Sequence, residues 1–162
     1  MPMPSAYIET TIPSYYVARP SMNVIQASRQ ASTRAWWDGG RSGFDLFTSQ
    51  EVLQEARLGD ADMARQRLDF LASLPKLELT EQVGLLAQNL IQAGLVPEKA
   101  ASDAVHIAVA SVHQMNYIVT WNFKHIANPY TRDRLQEVVA DTGFRLPVMC
   151  SPEELIQYDE DT

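Results

Sequence analysis

Four oxygen-bearing side chains recur at comparable places along this sequence: Glu9, Glu55, Asp103 and Asn122. Glu9 directly follows the short apolar run Ala6-Tyr7-Ile8 and precedes Thr10-Thr11. Asp103 stands at the start of the most apolar helical stretch, and Asn122 follows the strand-like Tyr117-Ile118-Val119-Thr120 by two residues. Glu55 lies on a segment with helical spacing after a second strand-like run, Phe44 to Thr48. Carboxylates gathered in one place repel one another and lose hydration, so a cation must offset them. Oxygen-rich sets suit Mg²⁺ or Mn²⁺, and such ions activate water and stabilise in-line attack on a phosphodiester. Thr10, Thr11 and Thr120 could then orient ligands or a phosphate oxygen.

Each residue taken alone has a plainer explanation. Glu9 could simply be an exposed acid at a strand end. Asp103 fits the preference of acids for the first turn of a helix. Glu55 suits a solvated helix face, and Asn122 suits a turn. Only their joint arrangement at strand ends raises the group above these explanations.

The elements that must position them follow from the hydrophobic pattern. Ala6 to Ile8 predicts a strand, and Pro13 a helix from Ile12 to Ala18. Asn23 to Trp37 predicts a helix stopped by Asp38-Gly39-Gly40. After the strand Phe44 to Thr48, Ser49 caps a helix that ends near Gly59, and Asp60 opens another that stops at Pro75. Leu77 to Leu79 predicts a short strand, Thr80 to Ile91 a helix ended by Gly94, and Ser102 to Gln114 a further helix. Tyr117 to Thr120 is the clearest strand; Thr131 to Thr142 reads as an exposed helix, and Pro147 to Cys150 as a last strand. Alternation of this kind implies a central, mostly parallel sheet in a three-layer α/β/α sandwich. Ligands of such sheets bind beyond the carboxyl ends of the strands.

Composition bounds the rest. The 162 residues are 46% apolar and 20% charged, which suits one domain with a real core. The expected organisation is a single domain over residues 1–151 and an acidic tail over 152–162. Twenty acids against 13 Lys plus Arg give a net charge of -7, and five of the acids lie in that tail, which is expected to be solvated and frayed. One cysteine excludes an internal disulfide, and no apolar run reaches the ~20 residues needed to cross a bilayer. The opening MPMPSAYIETT lacks the pattern of a secretory signal, so a soluble, cytoplasmic protein without membrane contact is expected.

Other groups have two readings each. His106 either orients a ligand, three residues after Asp103, or is a satisfied core histidine; no histidine has zinc-site spacing. His125 either touches a substrate phosphate or closes a helix end. Trp36-Trp37 and Tyr15-Tyr16 either stack on bases or fill the core. Arg29, Arg34 and Arg41, and separately Arg57, Arg65 and Arg67, either hold phosphates or an acidic partner, or are solvated.

Four segments carry a resemblance: Tyr-Ile-Glu-Thr-Thr-Ile-Pro-Ser-Tyr-Tyr at 7–16, Ser-Gln-Glu-Val-Leu-Gln-Glu-Ala at 49–56, Ser-Asp-Ala-Val-His-Ile-Ala-Val-Ala at 102–110 and Ile-Val-Thr-Trp-Asn-Phe at 118–123. Together, over roughly residues 5–150, the chain resembles the PIN-domain nucleases, and among them the bacterial VapC-type toxins of type II toxin–antitoxin systems. The resemblance implies a metal-dependent endoribonuclease. The family's first acid falls on Glu9, its helix-borne acid on Glu55 with Glu51 as the second choice, its third acid on Asp103 and its fourth on Asn122. It further implies an RNA substrate cut to 5′-phosphate and 3′-hydroxyl ends, a homodimer and a cognate antitoxin.

Two departures from the pattern matter. Glu9 is one methylene longer than the family's Asp, which shifts its carboxylate by ~1.5 Å. Asn122 is neutral, so the site carries three charges rather than four, and fewer charges weaken binding of a divalent ion. The alternative reading is a catalytically silent PIN-like module that binds RNA or protein. A metal-dependent phosphatase acting on small esters is a third.

Overall fold

The computed structural model describes residues 2–158. The described residues form five strands: β1 (Ser5–Ile8), β2 (Asp45–Ser49), β3 (Lys76–Leu77), β4 (Tyr117–Val119) and β5 (Val148–Cys150). Among them lie eight α-helices: α1 (Thr11–Val17), α2 (Val24–Gly40), α3 (Gln50–Ala56), α4 (Ala61–Leu71), α5 (Glu81–Gln92), α6 (Ala101–Val112), α7 (Arg132–Asp141) and α8 (Pro152–Leu155). The strands make one sheet in the order β3-β2-β1-β4-β5, with every pairing parallel.

Parallel strands need helical crossovers that cover both faces, so their residues read as short apolar runs. Tyr7 and Ile8 of β1, and Ile118 and Val119 of β4, are accordingly fully buried. α1 packs on α2 and α4, and α2 on α8; α5 packs on α6 and α7. These two groups form the outer layers of the expected three-layer sandwich. Leu86 and Leu90 of α5 are buried within the core, where truncating one leucine to alanine costs about 2–5 kcal/mol.

Topology decides where the chemistry must be. From β1 the chain moves outward through β2 to β3, then returns to place β4 on the opposite side of β1. The strand order therefore reverses at β1, and a crevice opens beyond the carboxyl ends of β1 and β4. Ile8 pairs with Val119, so Glu9 and Thr120 emerge side by side at that crevice.

Several boundaries differ from those expected, each for a local reason. α2 runs through Gly39-Gly40 rather than stopping there. Arg41 Nη1 donates to the Trp37 carbonyl at 2.7 Å, and a side chain at Gly40 would meet Trp36 at 3.0 Å. β3 lies over Lys76–Leu77 instead of Leu77 to Leu79, because the Glu78 carbonyl is taken by His113 Nε2 at 2.8 Å. Ser49 occupies the expected N-cap position, but its hydroxyl bonds Tyr7 rather than a helix N–H. Thr80 and Asp60 do cap α5 and α4, accepting from Val83 N and Met63 N.

The acidic segment expected to fray starts with an ordered turn. Ser151 and Glu154 form a reciprocal capping box, Pro152 is buried, and α8 rests on α2. Asp159 to Thr162 lie outside the described residues. Among those described, no helix is long and apolar enough to cross a membrane.

Candidate metal centre

Glu9 leaves the end of β1 with its backbone N–H still donating to Val119 O at 3.2 Å, and its side chain is only 3% exposed. Three donors converge on one carboxylate oxygen, Oε1: Thr120 Oγ1 at 2.6 Å, Thr11 Oγ1 at 2.5 Å and Thr11 N at 3.2 Å. Thr10 and Thr11 sit there because α1 begins immediately after the strand, and Pro13 pre-sets its first turn. Oε2 of Glu9 has no protein donor among the described residues. Burial pushes the Glu9 carboxyl up, and this outweighs the charge of His106 and the hydrogen bonds from Thr11 and Thr120. A buried carboxylate held at one oxygen and unpaired at the other suits a cation.

Glu55 reaches the same place from α3. Its Oε1 accepts from Thr10 Oγ1 at 2.6 Å and from His106 Nε2 at 2.5 Å, which again leaves Oε2 without a protein donor among the described residues. Glu51, one turn earlier, is bound instead by Ser102 Oγ at 2.5 Å. Two rungs, Glu51–Ser102 and Glu55–His106, thus tie α3 to α6, both at the four-residue spacing that lines one face of a helix. Burial alone would raise Glu55, but the hydrogen bond and charge of His106, with help from Thr10, hold it below the usual carboxylate value.

His106 is fully buried, as its core reading expects, and it is also part of the cluster. Its Nδ1 lies 2.7 Å from Tyr7 Oη, which lies 2.8 Å from Ser49 Oγ. Burial would lower the imidazole, yet Glu55 first, then Glu9 and Asp103, hold it above its ordinary 6.5. Burial also pushes the Tyr7 phenol well up, so Tyr7 stays protonated. Ser49, Tyr7, His106 and Glu55 thus form one continuous buried hydrogen-bonded chain that ends on the carboxylate. Glu9, Glu55 and His106 offer one ligand atom each within 4.8 Å of one another. Two carboxylates and an imidazole form a mixed oxygen–nitrogen set that can hold a divalent transition ion, Mn²⁺ more readily than Mg²⁺.

Asp103 and Asn122 belong to a neighbouring group. Asp103 Oδ2 lies 3.0 Å from His125 Nδ1, and Asn122 Oδ1 accepts from His125 N at 3.0 Å. Asp103 precedes His106 by three residues on α6, so the two share a helix face. Thr120 Oγ1 links the groups, donating to Glu9 while accepting from Asn122 N at 2.9 Å. The spacing Asp103-x-x-His106 was the signal for His106. Tyr7 is not marked by the sequence as a site residue; its only local sign is its place on β1 two residues before Glu9, which puts the two on one side of extended chain.

The remaining candidates divide between scaffold and site. Trp36 and Trp37 are buried with Tyr16, Phe44 and Phe70 in an aromatic cluster. Arg34, Arg41 and Arg67 donate to backbone carbonyls, and Arg65 pairs with exposed Asp62. Arg29 alone of the six stacks beside the site, on Trp121 and Phe123. Burial, with Glu154 adding to it, pushes the Cys150 thiol up to about 12, far from a reactive thiolate.

No family model matches the sequence, and no curated protein matches it. Its fold is shared with a solved structure, VapBC2 from Rickettsia felis bound to a DNA fragment from their promoter. A chain of that complex aligns with 90% of this chain and 97% of its own length, at a TM-score of 0.53 and 17% identity. The PIN-like sandwich expected from the sequence therefore stands as the fold.

Proposed function

We propose that the protein is a metal-dependent endoribonuclease of PIN type, the toxin of a toxin–antitoxin pair. The observation that carries this reading is the pair Glu9 and Glu55, at the crevice where the strand order reverses. Each is anchored through one oxygen, and neither second oxygen has a protein donor among the described residues. Glu9 and Glu55 would hold the ion, with His106 beside them and Asp103 and Asn122 completing the surroundings directly or through water. A bound Mn²⁺ or Mg²⁺ supplies an activated water and charge stabilisation at phosphorus. Thr11 and Thr120 keep the Glu9 carboxylate oriented, and His106 and Thr10 do the same for Glu55. The likeness to a VapBC2 complex supports extending a protein antitoxin to this chain as its partner; a homodimer, RNA ends with 5′-phosphate and 3′-hydroxyl, and a cytoplasmic setting belong to the same reading.

A silent PIN-like binding module is the second reading. It is favoured by Asn122, whose carbonyl oxygen already caps His125 N, and by His106, whose Nε2 already partners the Glu55 carboxylate without a metal. Calorimetric titration with Mn²⁺ separates the two. The nuclease reading expects binding that Glu9→Gln abolishes; absence of any Mn²⁺ binding to the parent would sink it.

A further inference from the structure

Directly after Thr120, the chain builds a second recess. Trp121 and Phe123 flank Asn122, with ring centroids 5.9 Å apart and planes at 63°. The Arg29 guanidinium lies 5.3 Å from the Trp121 ring and 5.2 Å from that of Phe123. Together with Ile25 at the start of α2 and Glu153 of α8, these side chains line a cavity of about 370 Å³. Trp121 is buried, but Phe123 is 39% exposed and Ile25 65% exposed, so apolar surface remains open at the rim.

The charges of this recess are not neutralised by ion pairing, although Arg29 Nη1 donates to Tyr15 Oη at 3.4 Å. Arg29 and Glu153 line the same cavity without forming an ion pair, and among the described residues neither has an ion-pair partner. The recess also adjoins the candidate metal centre. Trp121 N donates to Thr11 Oγ1 at 2.9 Å, and Thr11 Oγ1 donates to Glu9.

We infer that this recess binds one unpaired nucleobase of an RNA strand, next to the phosphate presented to Glu9 and Glu55; the inference rests on the nuclease reading. An exposed aromatic ring backed by a guanidinium is a platform on which a splayed base stacks, and Arg29 supplies the positive charge for the adjoining phosphate. Glu153 is acceptor-only and offers two oxygens, which match the adjacent N1–H and N2–H donors of guanine. Adenine, cytosine and uracil lack that pair of neighbouring donors. The recess therefore selects guanine at one position beside the cut.

The test uses the full chain with Mn²⁺ and short RNAs carrying each base in turn, with cut positions mapped. The parent is expected to favour guanine at one fixed position from the cut. Phe123→Ala should raise KM about tenfold with kcat little changed, since one stacked base contributes about that much affinity, and Phe123→Tyr should restore it. Glu153→Gln should keep cleavage but lose the base preference. Cleavage by the parent with KM and cut positions unchanged in Phe123→Ala and Glu153→Gln overturns the inference and leaves the nuclease reading intact. If the parent cuts no RNA, the nuclease reading fails, and anisotropy of labelled RNA hexamers without metal decides the recess separately. Binding weakened by Phe123→Ala then supports it; binding that is absent or unaffected overturns it.

Discussion

Replacing His106 with leucine removes a fully buried ring at similar volume, and with it bonds to Tyr7 and to Glu55. Tyr7 keeps Ser49, so its loss is about 1 kcal/mol. Glu55 keeps Thr10 and, with 29% of its side chain exposed, regains some water; losing a charge-assisted hydrogen bond there costs about 2 kcal/mol. The sum, about 3 kcal/mol, lowers Tm by roughly 6–12 °C for a chain of this size. The pH dependence has a definite sign. His106 is held above 6.5 when folded, so its contribution is complete below about pH 6.5 and drains away as pH rises through the raised value. Glu55 is held below 4.5, so its contribution is present above that value and is lost as pH falls through the lowered one. The pair is therefore strongest between about pH 4.5 and 6.5. A double-mutant cycle of His106→Leu with Glu55→Gln, read by thermal unfolding in EDTA, should give a coupling of about 2 kcal/mol at pH 6 that falls as the pH is raised. A coupling below about 0.5 kcal/mol at pH 6, or one that grows with pH, refutes this account of the cluster.

Thr120→Val takes a donor from buried Glu9 and an acceptor from Asn122 N, and should cost about 2 kcal/mol in urea denaturation; unchanged stability would show that Glu9 does not depend on it. Mn²⁺ should raise Tm more than Mg²⁺ at equal concentration, and its affinity should fall as pH drops, because a proton on His106 competes with the ion; equal stabilisation by the two ions speaks against the imidazole as a ligand. Two glycines should respond with opposite signs in denaturant titrations. Gly84→Ala, inside α5 with nothing within 4 Å, should stabilise by about 0.5–1 kcal/mol, and Gly94→Ala, at φ +74°, should destabilise by about 1 kcal/mol; the same sign at both sites contradicts the assigned backbone conformations.

The layer architecture was legible because short apolar runs alternate with amphipathic stretches, and that pattern fixes both the crossovers and the crevice. Glu9, Thr11 and Thr120 could be placed from the sequence because strand ends are marked by the apolar runs themselves. What stayed hidden depended on contacts between distant segments. Ser49 looks like a helix cap until β2 lies beside β1 and brings Tyr7 within reach. His106 looks like core on so apolar a helix, and only the approach of α3 supplies the Glu55 carboxylate. Glu51 and Glu55 are one turn apart and cannot be ranked locally; the pairing of Glu51 with Ser102 separates them. Gly39-Gly40 reads as a helix stop, yet Arg41 and Trp36 hold the turn closed through side-chain contacts that no local propensity contains.

The proposed activity is cleavage of RNA at the Glu9 crevice with the help of a divalent ion. Its most direct test is cleavage of RNA by the purified parent and by folded Glu9→Gln, each with and without Mn²⁺. Cutting by the parent in Mn²⁺ alone, ended by EDTA and reduced at least about a hundredfold by Glu9→Gln, is the expected result. Cleavage that persists in EDTA, or that Glu9→Gln leaves unchanged, contradicts it.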